Sequence, residues 1–302
     1  MEESMAEERL AEMRLSPAVW KAMNTARKAG AEISARTWST DISRKEHRTF
    51  GTASTSDTDK EAEALIIETL RNEFPHSVCV GEESAKELDP KVILCAPLVF
   101  FIDPRDGTTE GSHELPFWCV SIGVMERGFL TGGAVFAPDV RGGLTIVAGK
   151  GAGVYVSERG GCLLPVEKAV HVPETASPVI HLGLDVQRLN AYHRFVPALP
   201  KELKPRGTSS SGALGLALVA AGRIDAIVQS PQMPWDFAAS MAMALERGLA
   251  VRTGRIEAGS VSPVDLYDPE NFRTDKQTLM FVAGTASLVE PLFDLLVKSY
   301  GD

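Results

Sequence analysis

The chain has 302 residues, 44% of them hydrophobic, and a formal net charge of −9 with a pI near 5.3. That length can bury a large core and favours two domains or one large α/β body. The acidic balance argues against a broad basic groove for a nucleic-acid polymer, and a small anion would need cations to enter.

The acidic start, MEESMAEERLAEM, lacks the basic and apolar segments of a signal peptide. Ser16-Pro17 reads as a helix opening, with Ser as N-cap and Pro at the first helical position. Val19, Trp20, Met23, Ala26 and Ile33 then recur at helical spacing. Residues 37–56 read as an irregular, mobile loop with a short strand or two. A second helix is expected from Asp57 or Thr58 to Pro75, burying Ala62, Leu65, Ile66, Thr69, Leu70 and Phe74. Val78-Cys79-Val80 is a short strand that runs into Gly81-Glu82-Glu83-Ser84 and so delivers two acids to a turn.

The next stretch, Val99 to Thr109 (VFFIDPRDGTT), is an apolar run ending in Asp-Pro-Arg-Asp-Gly-Thr, read as a buried strand with two carboxylates on a tight turn at its end. Pro104 biases Asp103 to an extended backbone and Gly107 permits an angle that a side chain opposes, so Asp103 and Asp106 can fold toward one point. Hard oxygen donors with no Cys or His nearby suit Mg²⁺ or Mn²⁺ rather than Zn²⁺. The longest apolar run, Val92 to Ile102, contains Pro97 and is too short to span a membrane.

Strands are expected at Trp118–Val124 and Leu130–Phe136, joined as an antiparallel pair by Glu126-Arg127-Gly128, and around Leu144–Ala148. The glycine-rich segment Gly149–Gly161 is read as the domain change, giving an α+β domain over 1–155 and an α/β domain over 156–302. The second half alternates strands (Val179–Leu184, Ala226–Gln229, Thr278–Ala283) with helices (188–198, 211–222, 236–247, 286–299). Pro234-Trp235-Asp236 places a third acid at a helix start. The four cysteines, at 79, 95, 119 and 162, have no C-x-x-C spacing and read as reduced core residues of a cytoplasmic protein.

Three segments thus present acids at element boundaries: Glu82-Glu83, Asp103-x-x-Asp106 and Asp236. Carboxylates gathered in this way serve metal-ion catalysis, and phosphate-monoester hydrolysis is its obvious user. The order GEE, DPxDGTT, PWDxAA resembles the inositol monophosphatase family of Mg²⁺-dependent, lithium-sensitive phosphatases. ARKAGAEI (26–33), LPFWCVSIGV (115–124) and LVAAGRIDAI (218–227) also read like family segments, so the resemblance covers most of the chain. It implies a layered α-β-α-β-α sandwich with the site between the two domains, a homodimer, two or three Mg²⁺ ions per site, and direct attack of water without a phosphoenzyme.

Residue by residue, the resemblance implies that Glu82, Asp103 and the carbonyl of Arg105 bind one metal, and Asp103, Asp106 and Asp236 a second. Glu82, with Glu83, would help hold a third. Thr108 and Asp59 would orient the nucleophilic water, and the N–H groups of Gly107 and Thr108 would hold the phosphate. Three departures stand out: Arg105 in place of an aliphatic residue, Gln229 where inositol-specific members keep a glutamate, and Ser210-Ser211-Gly212 at a helix opening near the sugar. The catalytic half reads as intact and the specificity half as altered, with Ser211, Gly212 and Gln229 as substrate-side candidates.

The resemblance therefore implies a phosphorylated polyol of the inositol phosphate kind as substrate. Histidinol phosphate, a 3′-phosphoadenosine nucleotide, a sugar bisphosphate or a specialised biosynthetic intermediate are the alternatives, and a silent phospho-ligand-binding protein is the rival from another class. An aspartyl-phosphate phosphatase of the haloacid dehalogenase type needs D-x-D, whereas the spacing here is D-x-x-D.

Overall fold

In a computed structural model, residues 11, 14–37, 57–85, 88–166, 178–183, 189–200, 203–205, 210–257 and 259–300 are described. The loop expected over 37–56 lies outside them except for Thr37, which closes the first helix. Helix α1 (Pro17–Thr37) begins where expected, with the Val19 N–H donating to Ser16 Oγ at 3.4 Å. Helix α2 (Asp57–Glu73) buries Ala62, Ile66 and Leu70, but also Asp59 and Glu63.

The first sheet has seven strands in sequential order: β1 (Val78–Gly81), β2 (Leu98–Asp106), β3 (Cys119–Glu126), β4 (Phe129–Ala137), β5 (Leu144–Gly149), β6 (Gly153–Glu158) and β7 (Leu164–Pro165). Only β1 and β2 pair in parallel; every later neighbour is antiparallel. Two short helices interrupt the run, α3 (Pro90–Cys95) before β2 and α4 (Thr108–Ser112) after it. The expected domain boundary at 155/156 falls inside β6. The glycines around it serve as turn positions, with Gly151, Gly153 and Gly160 at φ of 75°, 97° and 65°, and the sheet runs on to Pro165.

The second sheet has six strands in the order β12-β11-β13-β10-β8-β9. In chain order these are β8 (Val179–Gly183), β9 (Lys204–Pro205), β10 (Ala226–Gln232), β11 (Ala250–Glu257), β12 (Ser260–Pro263) and β13 (Leu279–Gly284). Its helices are α5 (Leu189–Ala198), α6 (Gly212–Ala220), α7 (Pro234–Glu246) and α8 (Ala286–Tyr300).

Apolar faces dictate the layering. One side of the first sheet receives α1 and α2, whose Val19, Met23, Ile33, Ile66 and Leu70 meet Phe100, Ile102, Val120 and Ile122. Its other side receives α6 and α7, which are buried on nearly every face because the second sheet covers them from behind. The outer face of the second sheet is closed by α5 and α8 through Phe195, Val289, Leu292 and Leu296. The result is the five-layer α-β-α-β-α arrangement.

Candidate metal centre

The geometry of the site begins with a fault in β2. Residues three apart on a regular strand point to opposite faces. In β2, however, Asp103 pairs with Ser121 and Asp106 with Cys119, so three steps on one strand match two on its neighbour. This bulge carries Pro104, which has no N–H to lose from the ladder, and it turns both carboxylates to one point. The aspartates therefore belong to the strand itself, not to a turn beyond it. The turn comes at Gly107, whose φ of 90° would strain any other residue, and α4 follows at once.

The third acid arrives on α7, which lies directly on the first sheet. A Cβ at Gly123 would stand 2.7 Å from Ala238 Cβ, and one at Gly133 would stand 2.5 Å from Ala239 Cα. These bare positions let the alanine face of α7 settle close enough for Asp236, in its first turn, to join Asp103 and Asp106. Carboxylate oxygens of the three aspartates lie within 4.8 Å of one another.

Each aspartate is anchored by a backbone donor. Arg105 N–H donates to Asp103 Oδ1 at 2.8 Å, Ala213 N–H to Asp106 Oδ2 at 2.7 Å, and Met233 N–H to Asp236 Oδ2 at 2.9 Å. Asp106 Oδ2 also accepts from Ser211 Oγ at 2.6 Å. One oxygen of each carboxylate is thereby fixed, and the Asp103 carboxyl also shares side-chain hydrogen bonds with Glu82 and Asp236. The donors come from β2, α6 and the lead into α7, so both sheets' neighbourhoods must be in place.

Electrostatics agree with this crowding. Burial, reinforced by Glu82, Asp106 and Asp236, raises Asp103 well above the usual carboxylate range, and burial with Asp106 and Glu82 does the same to Asp236. Burial pushes Asp106 up to about 6 against the lowering effect of Ser211 and Ala213. Glu82 and Glu83 are each pushed up to about 7, first by burial and then by neighbouring acids. Such carboxylates either keep their protons or take a cation. All-oxygen donors in a compact cluster around two buried aspartates fit a hard divalent ion.

A second group of acids lies beside the first. Asp59 and Glu63, one turn apart on α2, are 2% and 1% exposed. Glu63 Oε2 accepts the Glu83 N–H at 2.7 Å, and Gly81 leaves room for its carboxylate. Asp59 pairs with Arg105, with Nε 2.9 Å from Oδ1. The side chain of Arg105, the residue that stands in place of an aliphatic one, turns to α2 and lies over Trp118, 5.5 Å from the ring. One oxygen of Asp59, the residue that the resemblance implies in water positioning, is therefore paired with a guanidinium.

Thr108 Oγ1 donates to the Arg105 carbonyl at 3.0 Å, tying the expected ligand carbonyl to the start of α4. Ser211 is the N-cap of α6, accepting from Leu214 N–H at 3.3 Å while donating to Asp106, so its hydroxyl orients an acid. Gly212 follows it, beneath the Gln232 amide. Gln229 is 2% exposed in β10 against Gly183, and its Oε1 has no hydrogen-bond partner.

Sequence reasoning missed Glu63, whose placement four residues after Asp59 on one helix face was the available signal. It also missed Glu110, which accepts from Ser210 N–H at 2.6 Å and from its hydroxyl, joining α4 to the lead into α6. Of the cysteines only Cys119 is buried, 3.9 Å from Asp106 Oδ2. Cys95 is exposed, and Cys79 and Cys162 are half-buried.

A family model described as the inositol monophosphatase family matches residues 16–269. The chain is 27% identical over 248 residues to an inositol monophosphatase of Dictyostelium discoideum, covering 80% of this chain and 82% of that one. It is 31% identical over 196 residues to a Nus factor SuhB of Xylella fastidiosa, covering 64% of this chain and 66% of that protein's length. Among solved structures, Mycobacterium tuberculosis SuhB superposes with a TM-score of 0.68 at 22% identity, over 94% of this chain and 96% of that one, a likeness of fold.

Proposed function

The chain belongs to the inositol monophosphatase family and is a phosphomonoester hydrolase, and on that premise we propose a Mg²⁺-dependent enzyme acting on a small phosphorylated polyol or a related metabolite. The observation that carries this reading is the triad of aspartates, Asp103 and Asp106 buried and Asp236 half-buried, each with one oxygen fixed by a backbone N–H and carboxylate oxygens within 4.8 Å of one another.

Asp103, Asp106 and Asp236, with Glu82 and the Arg105 carbonyl, would hold the ions. Bound divalent cations supply polarisation of the phosphoryl oxygens and a lowered pKa for water. The chain's own groups do the rest. Ser211 and Ala213 keep Asp106 ionised and aimed. Gly107 and Thr108 N–H groups, at the start of α4, offer donors to phosphate oxygens. With Asp59 committed to Arg105, water positioning falls to the Thr108 hydroxyl and Glu83.

On the substrate side, the buried and unpartnered Gln229 Oε1 supports a hydroxyl-bearing ligand, because a buried acceptor left empty costs about 1–3 kcal/mol. The domain division in this reading follows the sheets and falls between Pro165 and Val179. No helix among the described residues is long and apolar enough to cross a membrane. A cytoplasmic homodimer remains part of the proposal.

The test is phosphate release from a panel of inositol phosphates, sugar phosphates, histidinol phosphate and 3′-phosphoadenosine nucleotides. Gln229→Glu is expected to raise relative kcat/KM for polyhydroxylated substrates several-fold. Unchanged ratios across the panel would remove Gln229 from the specificity argument.

A further inference from the structure

We propose that the Arg105 guanidinium serves as a built-in cation for the second acid group, taking the place that a bound divalent ion would otherwise fill beside Asp59, Glu63 and Glu83. The inference rests on the metal-centre reading above and concerns how many ions that centre takes.

The seat is constructed on every side. Arg105 and Asp59 are 6% and 2% exposed, and the pair is 2.9 Å apart. The guanidinium lies over Trp118, which is itself fixed: its Nε1–H donates to Asp139 Oδ2 at 2.6 Å, and Ser34 Oγ on α1 donates to Asp139 Oδ1 at 2.9 Å. Gly111 makes room for the stem, since a Cβ there would stand 3.0 Å from Arg105 Cδ. A chain of contacts therefore runs from α1 through Asp139, Trp118 and Arg105 to Asp59 on α2.

The acids around its partner Asp59 are short of positive charge. Glu63 Oε1 is buried with no hydrogen-bond partner, and Glu83 lies within the electrostatic reach of both Asp59 and Glu63. Lys60 is the cation acting on Glu83, and its side chain is 56% exposed, whereas the Arg105 guanidinium paired with Asp59 is enclosed. Carboxylates so placed call for a cation. A planar, permanently charged guanidinium that also stacks on an aromatic face is well suited to be one.

Arg105 is thus a positioning residue: it holds Asp59 through charge, and its own carbonyl sits on the bulge that aims Asp103 and Asp106. Neutralising it should open the second acid group to a divalent ion. The experiment counts Mn²⁺ bound per chain by electron paramagnetic resonance titration, in wild type, Arg105→Gln, Arg105→Lys and the double variant Arg105→Gln/Asp59→Asn. Arg105→Gln is expected to bind about one more ion than wild type, and its melting temperature should rise more on Mn²⁺ addition. Arg105→Lys and the double variant should bind the wild-type number.

Equal stoichiometry in wild type and Arg105→Gln overturns the inference, while wild type that binds no Mn²⁺ at all overturns the metal-centre reading instead. If Arg105→Gln folds only in the presence of Mn²⁺, as seen by circular dichroism, the inference is supported. If it fails to fold with or without the ion while the double variant folds, the acids do not accept a cation and the inference is wrong.

Discussion

Asp106 carries the most support of any acid in the centre, with Ser211 Oγ at 2.6 Å and Ala213 N–H at 2.7 Å on the same oxygen. Ser211→Ala removes one of these and the cap of α6 together. Metal affinity should fall about 10–100-fold, the range for partners that orient a ligand, and stability by about 1 kcal/mol, as for a lost N-cap. Calorimetric titration and urea unfolding read the two effects separately. The acids themselves were legible in the sequence because D-x-x-D-G-T and P-W-D set charges where apolar runs stop. The partners were not. Ser211 lies 105 residues from Asp106, and Arg105 is paired with a carboxylate on α2; nothing local to either motif specifies such a meeting.

The elements were readable wherever one period dominated. Helix α1 shows its buried face as Val19, Met23, Ala26 and Ile33, and the β3–β4 hairpin shows its turn at Arg127-Gly128. Strands β6, β11 and β12 were not foreseen: β6 and β11 carry glycines and charges, β11 is only partly buried, and β12 is four residues long and ends in a proline. The bulge in β2 was likewise hidden, since it depends on the register against β3. Packing between elements makes its own prediction. Gly133→Ala places a methyl 2.5 Å from Ala239 Cα, so α7 must lift from the sheet. The expected cost is about 1–3 kcal/mol, seen as a lower urea midpoint, with weaker metal binding because Asp236 moves with the helix. An unchanged midpoint would mean that α7 is not seated as described.

At the scale of the molecule, the centre joins a strand of the first sheet to helices that the second sheet covers, so its charge state is tied to folding as a whole. Glu82 and Glu83 are pushed up to about 7 and Asp106 to about 6. Between roughly pH 4.5 and 7 the metal-free folded chain therefore holds protons that the unfolded chain has released. Stability must then fall as pH rises through that window. In chelator the melting temperature should drop on the order of 5 °C from pH 5 to 7.5, and Mg²⁺, which displaces those protons, should cancel the drop. The layered fold was legible because the family resemblance supplied it; the continuation of the first sheet to Pro165 was not, since glycines at tight turns look the same in sequence as glycines in a linker.

The central claim is that Asp103, shared between the proposed ion positions, makes this chain a metal-dependent phosphatase. The most direct measurement is phosphate release from inositol phosphates, with wild type and Asp103→Asn each assayed in Mg²⁺, in chelator, and with Li⁺ added. Mg²⁺-dependent release is expected, inhibited by Li⁺ and lowered by more than about 100-fold in Asp103→Asn, beyond what loss of an orienting partner costs. Release that persists in chelator, or that survives in Asp103→Asn at the wild-type rate, would contradict that claim.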